Sequence, residues 1–175
     1  SVIEDGTVAF ADGRITAVTL RYGEKTARAG RGVLDVDGML VLPGVVDPHV
    51  HFDEPGFTDR EDFYHGTSAA ASGGVTTIVD MPCTSIPPVT DKANFDTKYE
   101  VVSPRAVIDF GLYGGVSDES FSEGFPRGME ELAPHVLGFK TYFISIMDRF
   151  HQVNHYQFSR VLAEAKRLRR PILLH

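Results

Sequence analysis

The sequence predicts an α/β fold of parallel strands joined by helices, preceded by a small β-rich module. Two observations carry this. From residue 42 onward, short apolar runs alternate with helical patterns, giving five strands separated by four helices. Before that, short alternating segments flank the turn dipeptides Asp5-Gly6, Asp12-Gly13 and Asp37-Gly38. The expected division is residues 1–41 and 42–175.

The elements follow in order. Ile15, Ala17 and Val18 follow the second turn, and Leu34, Val36 and Leu40 surround the third. Tyr22–Gly32 is polar and Gly-rich and reads as a loop. Val45–Phe52 is the first strand of the second part, set off from Val41-Leu42 by Pro43-Gly44. Asp62–Ser72, with Ala69, Ala70 and Ala71, reads as a helix stopped by Gly73-Gly74. Val75–Met81 is a β-branched strand ended by Pro82. Asp91–Val102 reads as a helix stopped before Pro104. Val107–Tyr113 is the third strand, ended by Gly114-Gly115, and the acidic, polar Ser117–Glu123 reads as loop. Arg127–Ala133 is a short helix and Val136–Ile144 the fourth strand, with Phe143–His151 placed to line a pocket. Asn154–Arg170 is the clearest helix, with Phe158, Val161, Leu162, Ala165 and Leu168 on one face. Pro171–His175 is the fifth strand.

Composition narrows the function. Of 175 residues, 42% are hydrophobic, and 17 Lys+Arg against 24 Asp+Glu leave a formal charge of −7. An acidic balance speaks against general nucleic-acid binding. No apolar run is long enough for a transmembrane helix. A single cysteine forms no internal disulfide. Residues 1–10 lack the basic start and apolar stretch of a signal peptide, so a cytoplasmic location is expected. Five barrel-like strands in a chain of this length point to part of a larger barrel, since a complete one takes about 250 residues.

Asp47-Pro48-His49-Val50-His51 concentrates the chemistry. Strand side chains alternate, so His49 and His51 share a face, about 6–7 Å apart along the strand. Two such imidazoles can converge on one metal ion. The strand gives way at once to Asp53-Glu54-Pro55-Gly56, placing the pair at its carboxyl end. Asp47 shares the face and could orient a ligand by hydrogen bonding. The competing reading is two strand histidines satisfied by backbone groups, since two histidines are half a site. His175 follows Ile172-Leu173-Leu174 and fits either a ligand or a plain strand end. Lys140 sits in the apolar run Val136–Phe143. A buried amine loses its charge readily and, when neutral, can add carbon dioxide to form a carbamate able to bridge two divalent ions. The alternative is a lysine reaching past the strand to water.

Taken together, Gly44–Phe52, Glu54-Pro55-Gly56, Gly73-Gly74-Val75-Thr76-Thr77 and Met81-Pro82 resemble the cyclic amidohydrolases. These are the dihydroorotase, allantoinase and dihydropyrimidinase group of the amidohydrolase superfamily. The resemblance runs over essentially the whole chain. Gly138-Phe139-Lys140 is similar to the segment carrying the carboxylated lysine, and Pro171–His175 to the strand delivering a third histidine. The spacings of 89 residues from His51 to Lys140 and 35 from Lys140 to His175 suit that alignment.

The resemblance implies an incomplete TIM-like (β/α)8 metal-dependent hydrolase barrel, strands one to five, with part of a small β-sandwich at the N-terminus. It implies two divalent metal ions, zinc by preference. His49 and His51 would bind one ion, His175 the other, and the carbamate on Lys140 would bridge them. Water activated there would attack the ring amide. A fourth histidine and an aspartate acting as general acid/base are expected beyond His175, so no catalytic acid/base is assigned within this segment.

The substrate follows from two departures. Dihydroorotases usually carry arginine directly before Glu-Pro-Gly and asparagine after Met-Pro. Here those positions are Asp53 and Cys83. Aspartate repels an anionic substrate and cysteine is a poor donor. Dihydropyrimidinases usually lack Glu-Pro-Gly, and Gly114-Gly115 looks allantoinase-like. A neutral cyclic ureide such as allantoin is therefore the expected small-molecule partner. Dihydroorotate hydrolysis and a non-catalytic, dihydroorotase-like assembly role are the alternatives, and Asp53 facing solvent would say nothing about substrate. Cys83 otherwise reads as an incidental loop thiol. His65, His135, His151 and His155 read as surface or packing residues. Arg160, Lys166, Arg167, Arg169 and Arg170 read as a solvated helix face. A homo-oligomer is expected, with no nucleic-acid or membrane partner.

Overall fold

The structure, a computed structural model, describes residue 3 and residues 6–19, 32–36 and 38–175. The chain forms two compact units, Ser1–Leu42 and Pro43–His175. In the first, β1 (Thr7–Ala11) and β2 (Arg14–Thr19) pair as an antiparallel hairpin with a bulge after Ala9. The turn falls at Asp12-Gly13, whose φ angles of 51° and 72° match the twist of a tight hairpin. The loop expected at Tyr22–Gly32 lies, apart from Gly32, outside the described residues, as do Asp5 and Asp37.

The second unit runs β3 (Val45–Val50), α1 (Phe63–Ser72), β4 (Val75–Asp80), α2 (Lys92–Val102), β5 (Asp109–Leu112), β6 (Gly114–Gly115), α3 (Asp118–Ser122), α4 (Arg127–Leu132), β7 (Phe139–Thr141), α5 (His155–Leu168) and β8 (Ile172–Leu174). Every pairing is parallel and follows chain order, β3-β4-β5 in one sheet and β6-β7-β8 in the next. This is the strand order of a (β/α)8 barrel, of which the chain supplies an arc. All carboxyl ends point to the same edge. Among the described residues, no helix is long and apolar enough to cross a membrane.

Helix starts are set by side chains that take up free backbone N–H groups. Asp62 accepts from His65 N at 2.7 Å and Asp91 from Asn94 N at 2.8 Å. Asn154 and Gln157 cap each other's backbone at 2.9 and 2.8 Å. On α5, Val161 and Ala165 are buried and Phe158 and Leu168 half-buried, whereas Leu162 is exposed. The main core lies between sheets and helices, around Phe63, Ile78, Phe95, Val102, Leu132, Phe139 and Val161. A smaller apolar cluster of Val79, Met81, Cys83, Tyr113, Tyr142 and Phe150 sits towards the carboxyl ends of the strands.

Two expectations need correction. Gly114-Gly115 does not simply end the third strand; it pairs with Phe139 and Lys140 and carries the sheet onward. A Cβ on Gly114 would sit 2.9 Å from the Phe139 ring, and one on Gly115 would collide with the Phe150 ring. Only glycine allows that approach. Ser117–Glu123 is not a loop throughout but contains α3. Asp118 and Glu119 occupy its first turn, where negative charge favours a helix start, and Phe121 stacks on Phe125 at 4.3 Å. The polar composition hid a short helix whose polar residues bond to one another and to neighbouring segments, Ser117 N to Ser120 Oγ and Gln157 Nε2 to Asp118 Oδ1 among them.

Gly66 lies in α1 facing Phe52, and an added Cβ would meet that ring at 2.6 Å. Ala in a helix interior ordinarily gains about 1 kcal/mol over Gly. Here overpacking wins: Gly66→Ala is expected to destabilise by about 1–2 kcal/mol, read as a lowered denaturation midpoint in the intact protein. An unchanged or raised midpoint would show that helix and strand end separate easily.

Candidate metal centre

β3 brings His49 and His51 side by side at the strand's carboxyl end, with ring centroids 5.3 Å apart. Asp47 Oδ1 accepts a hydrogen bond from the backbone N of His49 at 3.1 Å, so its observed hold is on the main chain beside the imidazole. The pKa of His51 is lowered, first by partial burial and next by the neighbouring His49, with Asp53 opposing and Lys140 and Lys98 adding to the fall. A neutral imidazole keeps a lone pair for a metal ion.

Lys140 lies on β7 and is 2% exposed. Burial lowers the pKa of its amine, and no carboxylate among the described residues lies within ion-pair distance of it. Its Nζ stands 4.8 Å from the centre of the Tyr142 ring. His175, following β8, packs its ring 4.9 Å from the same tyrosine. The Tyr142 hydroxyl lies 3.1 Å from Cys83 Sγ, which in turn is 4.0 Å from His51 Nδ1. Tyr142 is thus where Lys140, His175 and Cys83 meet, and Cys83 links that group to the histidine pair.

Cys83 is therefore not incidental packing in a loop; it is 5% exposed and sits inside this cluster. Asp53 is half-buried and close enough to act on the charge of His51. His65 pairs with Asp62, His151 with Glu119, and His155 stacks on Phe143, so these histidines are engaged elsewhere. His135 packs against the Phe95 ring. In the segment after β7, Phe150 packs edge-on against Tyr142, while Ile144 and Ile146 are exposed. The two surface hollows beside α3 and α4 include none of the four predicted ligands.

The donor chemistry fits a divalent ion. It offers imidazoles, the pKa of one lowered by burial and by its neighbour, and a buried amine with no carboxylate partner among the described residues. Among the described residues, no three His, Cys, Asp or Glu side chains alone form a group that could hold an ion.

The sequence reading missed Tyr142 and a buried ion pair, Asp80–Lys98, at 2.5 Å. Burial raises the Asp80 pKa to about 6 against the pull of Lys98. The available signal was a charge closing the β-branched run Val75–Val79. The reading also passed over Glu54, 1% exposed, which takes Phe63 N at 2.9 Å and pairs with Arg105.

Burial raises the Cys83 thiol above its ordinary value of 9.0, against the hydrogen bond with Tyr142. The thiolate is the reactive form. Alkylation by iodoacetamide is therefore expected to be slow at pH 8 and still rising above pH 9, measured as a rate–pH profile of the intact protein. A plateau below pH 8 would contradict the buried environment.

Comparison with known proteins gives the family. A family model described as the Amidohydrolase family matches residues 40–175. Allantoinase of Rubrobacter xylanophilus is 40% identical over 174 residues, covering 98% of this chain and 36% of its own length. Allantoinase of Streptomyces avermitilis is 40% identical over 162 residues, covering 90% and 34%. The structure of L-hydantoinase (dihydropyrimidinase) from Arthrobacter aurescens matches with a TM-score of 0.76 at 26% identity, over 97% of this chain and 36% of that one. The chain spans about a third of the length of the curated relatives it matches. That family generally uses divalent metals. With the matched region taking in His49, His51, Lys140 and His175, the chain belongs to the amidohydrolase family.

Proposed function

We propose that this chain supplies His49, His51, Lys140 and His175 to a two-ion centre, zinc by preference, that opens the ring of a neutral cyclic ureide such as allantoin. In the same reading, residues 1–41 are part of a β-sandwich and residues 42–175 the first five strands of the barrel. The observation that carries it is the gathering of Lys140 and His175 on Tyr142, tied through Cys83 to the His49–His51 pair. Support for the substrate class comes from the allantoinases at 40% identity and from Asp53. A half-buried carboxylate beside His51 disfavours an anionic ring.

Bound divalent ions would supply Lewis acidity and lower the pKa of water. The chain's own residues prepare for that. Partial burial and the neighbouring His49 shift His51 towards its neutral form. Burial likewise frees a fraction of the Lys140 amine from its proton. The neutral Nζ can then bond to the carbon of carbon dioxide, losing a proton to solvent and leaving a carbamate whose single negative charge is shared by two oxygens. Tyr142 and Phe150 keep water from the back of that side chain. Asp47 steadies the His49 backbone.

The intact protein is expected to hold about two divalent ions per chain and to lose them, with its activity, to a chelator. Allantoin, dihydroorotate, dihydrouracil and hydantoin, compared under one condition, should be hydrolysed fastest in the case of allantoin. Faster dihydroorotate turnover would overturn the substrate. A stably folded, metal-free protein would overturn the enzyme and favour an assembly role. Lys140→Ala is expected to lower both metal content and kcat by about 100-fold or more. Added acetate should restore part of the loss, because a free carboxylate supplies two oxygens in the vacated space.

A further inference from the structure

The ladder between β3 and β4, with register shifts between Val45 and Val46 and between Asp47 and Val50, ends where Val50 pairs with Asp80, and Val50 O accepts from Met81 N at 2.9 Å. The next peptides of that segment, those carrying His51, are held differently. Asp80 Oδ1 accepts from Phe52 N at 2.7 Å, which fixes the peptide joining His51 to Phe52. Asp80 Oδ2 accepts from Lys98 Nζ at 2.5 Å, and Lys98 also donates to Ser85 Oγ at 2.6 Å. Asp80 is 0%, Lys98 1% and Ser85 1% exposed. The Lys98 ammonium further lies 5.6 Å over the Phe63 ring.

A buried ion pair is a poor way to gain stability, because desolvation offsets most of the attraction. What it contributes here is direction. One carboxylate oxygen is aimed at the His51–Phe52 peptide. The other is anchored on a lysine that is itself pinned by α2, by Ser85 and by an aromatic face. Three segments are joined this way: the end of β3, the loop after β4 that carries Cys83, and α2.

We propose that Asp80 and Lys98 are positioning residues for the metal centre, holding the His51–Phe52 peptide so that the His51 imidazole keeps its orientation. Neither residue touches the ion or the substrate. The inference rests on the reading of His51 as a ligand, and groups that orient metal ligands in this way commonly affect affinity by about 10–100-fold.

The test measures zinc and cobalt(II) affinity of the intact protein by chelator competition, together with the cobalt absorption spectrum. Asp80→Ala is expected to weaken binding by about 10–100-fold and to shift the spectrum. Ser85→Ala, a milder change that keeps the ion pair, should weaken it by about 2–10-fold. The double variant Asp80→Asn with Lys98→Met keeps an acceptor for Phe52 N and leaves no stranded ammonium, so it should restore most of the affinity. Val102→Ala removes fully buried volume from the same helix and should leave affinity and spectrum unchanged. The inference is overturned if Val102→Ala weakens binding as much as Asp80→Ala or Ser85→Ala. It is equally overturned if Asp80→Ala and Ser85→Ala retain the wild-type spectrum and affinity while His51→Ala abolishes binding, or, where Asp80→Ala does not fold, if the double variant binds no more tightly than Lys98→Met. If His51→Ala binds as the wild type does, the ligand reading itself fails and the inference falls with it.

Discussion

Parallel pairing in chain order is the constraint from which the site follows. Because β3-β4-β5 and β6-β7-β8 each pair in parallel and β6 continues the chain directly from β5, all carboxyl ends reach one edge. Residues as far apart in sequence as His51, Cys83, Lys140 and His175 are delivered there without any local signal linking them. The helices between strands serve that end. Their caps set where each crossover begins, and their apolar faces hold the sheet from behind.

Close approach of backbone to side chain completes the arrangement. The Gly114-Gly115 pair lets the first sheet hand over to the second and admits the rings of Phe139 and Phe150. Phe150 in turn backs Tyr142. The tyrosine then has an apolar floor, a thiol at its hydroxyl and a buried amine over its face. A low-polarity setting of this kind explains why the Lys140 amine and the Cys83 thiol both shift towards their neutral forms. The same burial makes the Asp80–Lys98 pair a matter of geometry more than of stability.

Much of this was legible beforehand. Helices beginning at Asp62, Asp91 and Asn154 announce themselves by capping residues before periodic segments. The hairpin turn at Asp12-Gly13 needs positive φ, and the dipeptide says so. His49 and His51 share a face because strands alternate. By contrast, α3 was hidden by its polarity, and strand ends shifted because short apolar runs do not mark where ladder bonding stops. Leu162 fits the apolar stripe of α5 by spacing yet lies outside the contact, since periodicity gives a face and not its width.

The amino-acid sequence by itself determined most element types, their order and four candidate metal ligands, because those depend on local periodicity, turn residues and donor type. Only the tertiary structure decided that Tyr142 joins Lys140, His175 and Cys83, that Cys83 is buried, and that Asp80 and Lys98 grip the peptide after His51. Apart from Lys140 and Tyr142, which stand two residues apart on one strand face, those contacts are made across 18 to 59 positions of chain. No propensity or spacing rule reaches that far; the distances close only when parallel strands bring their ends together.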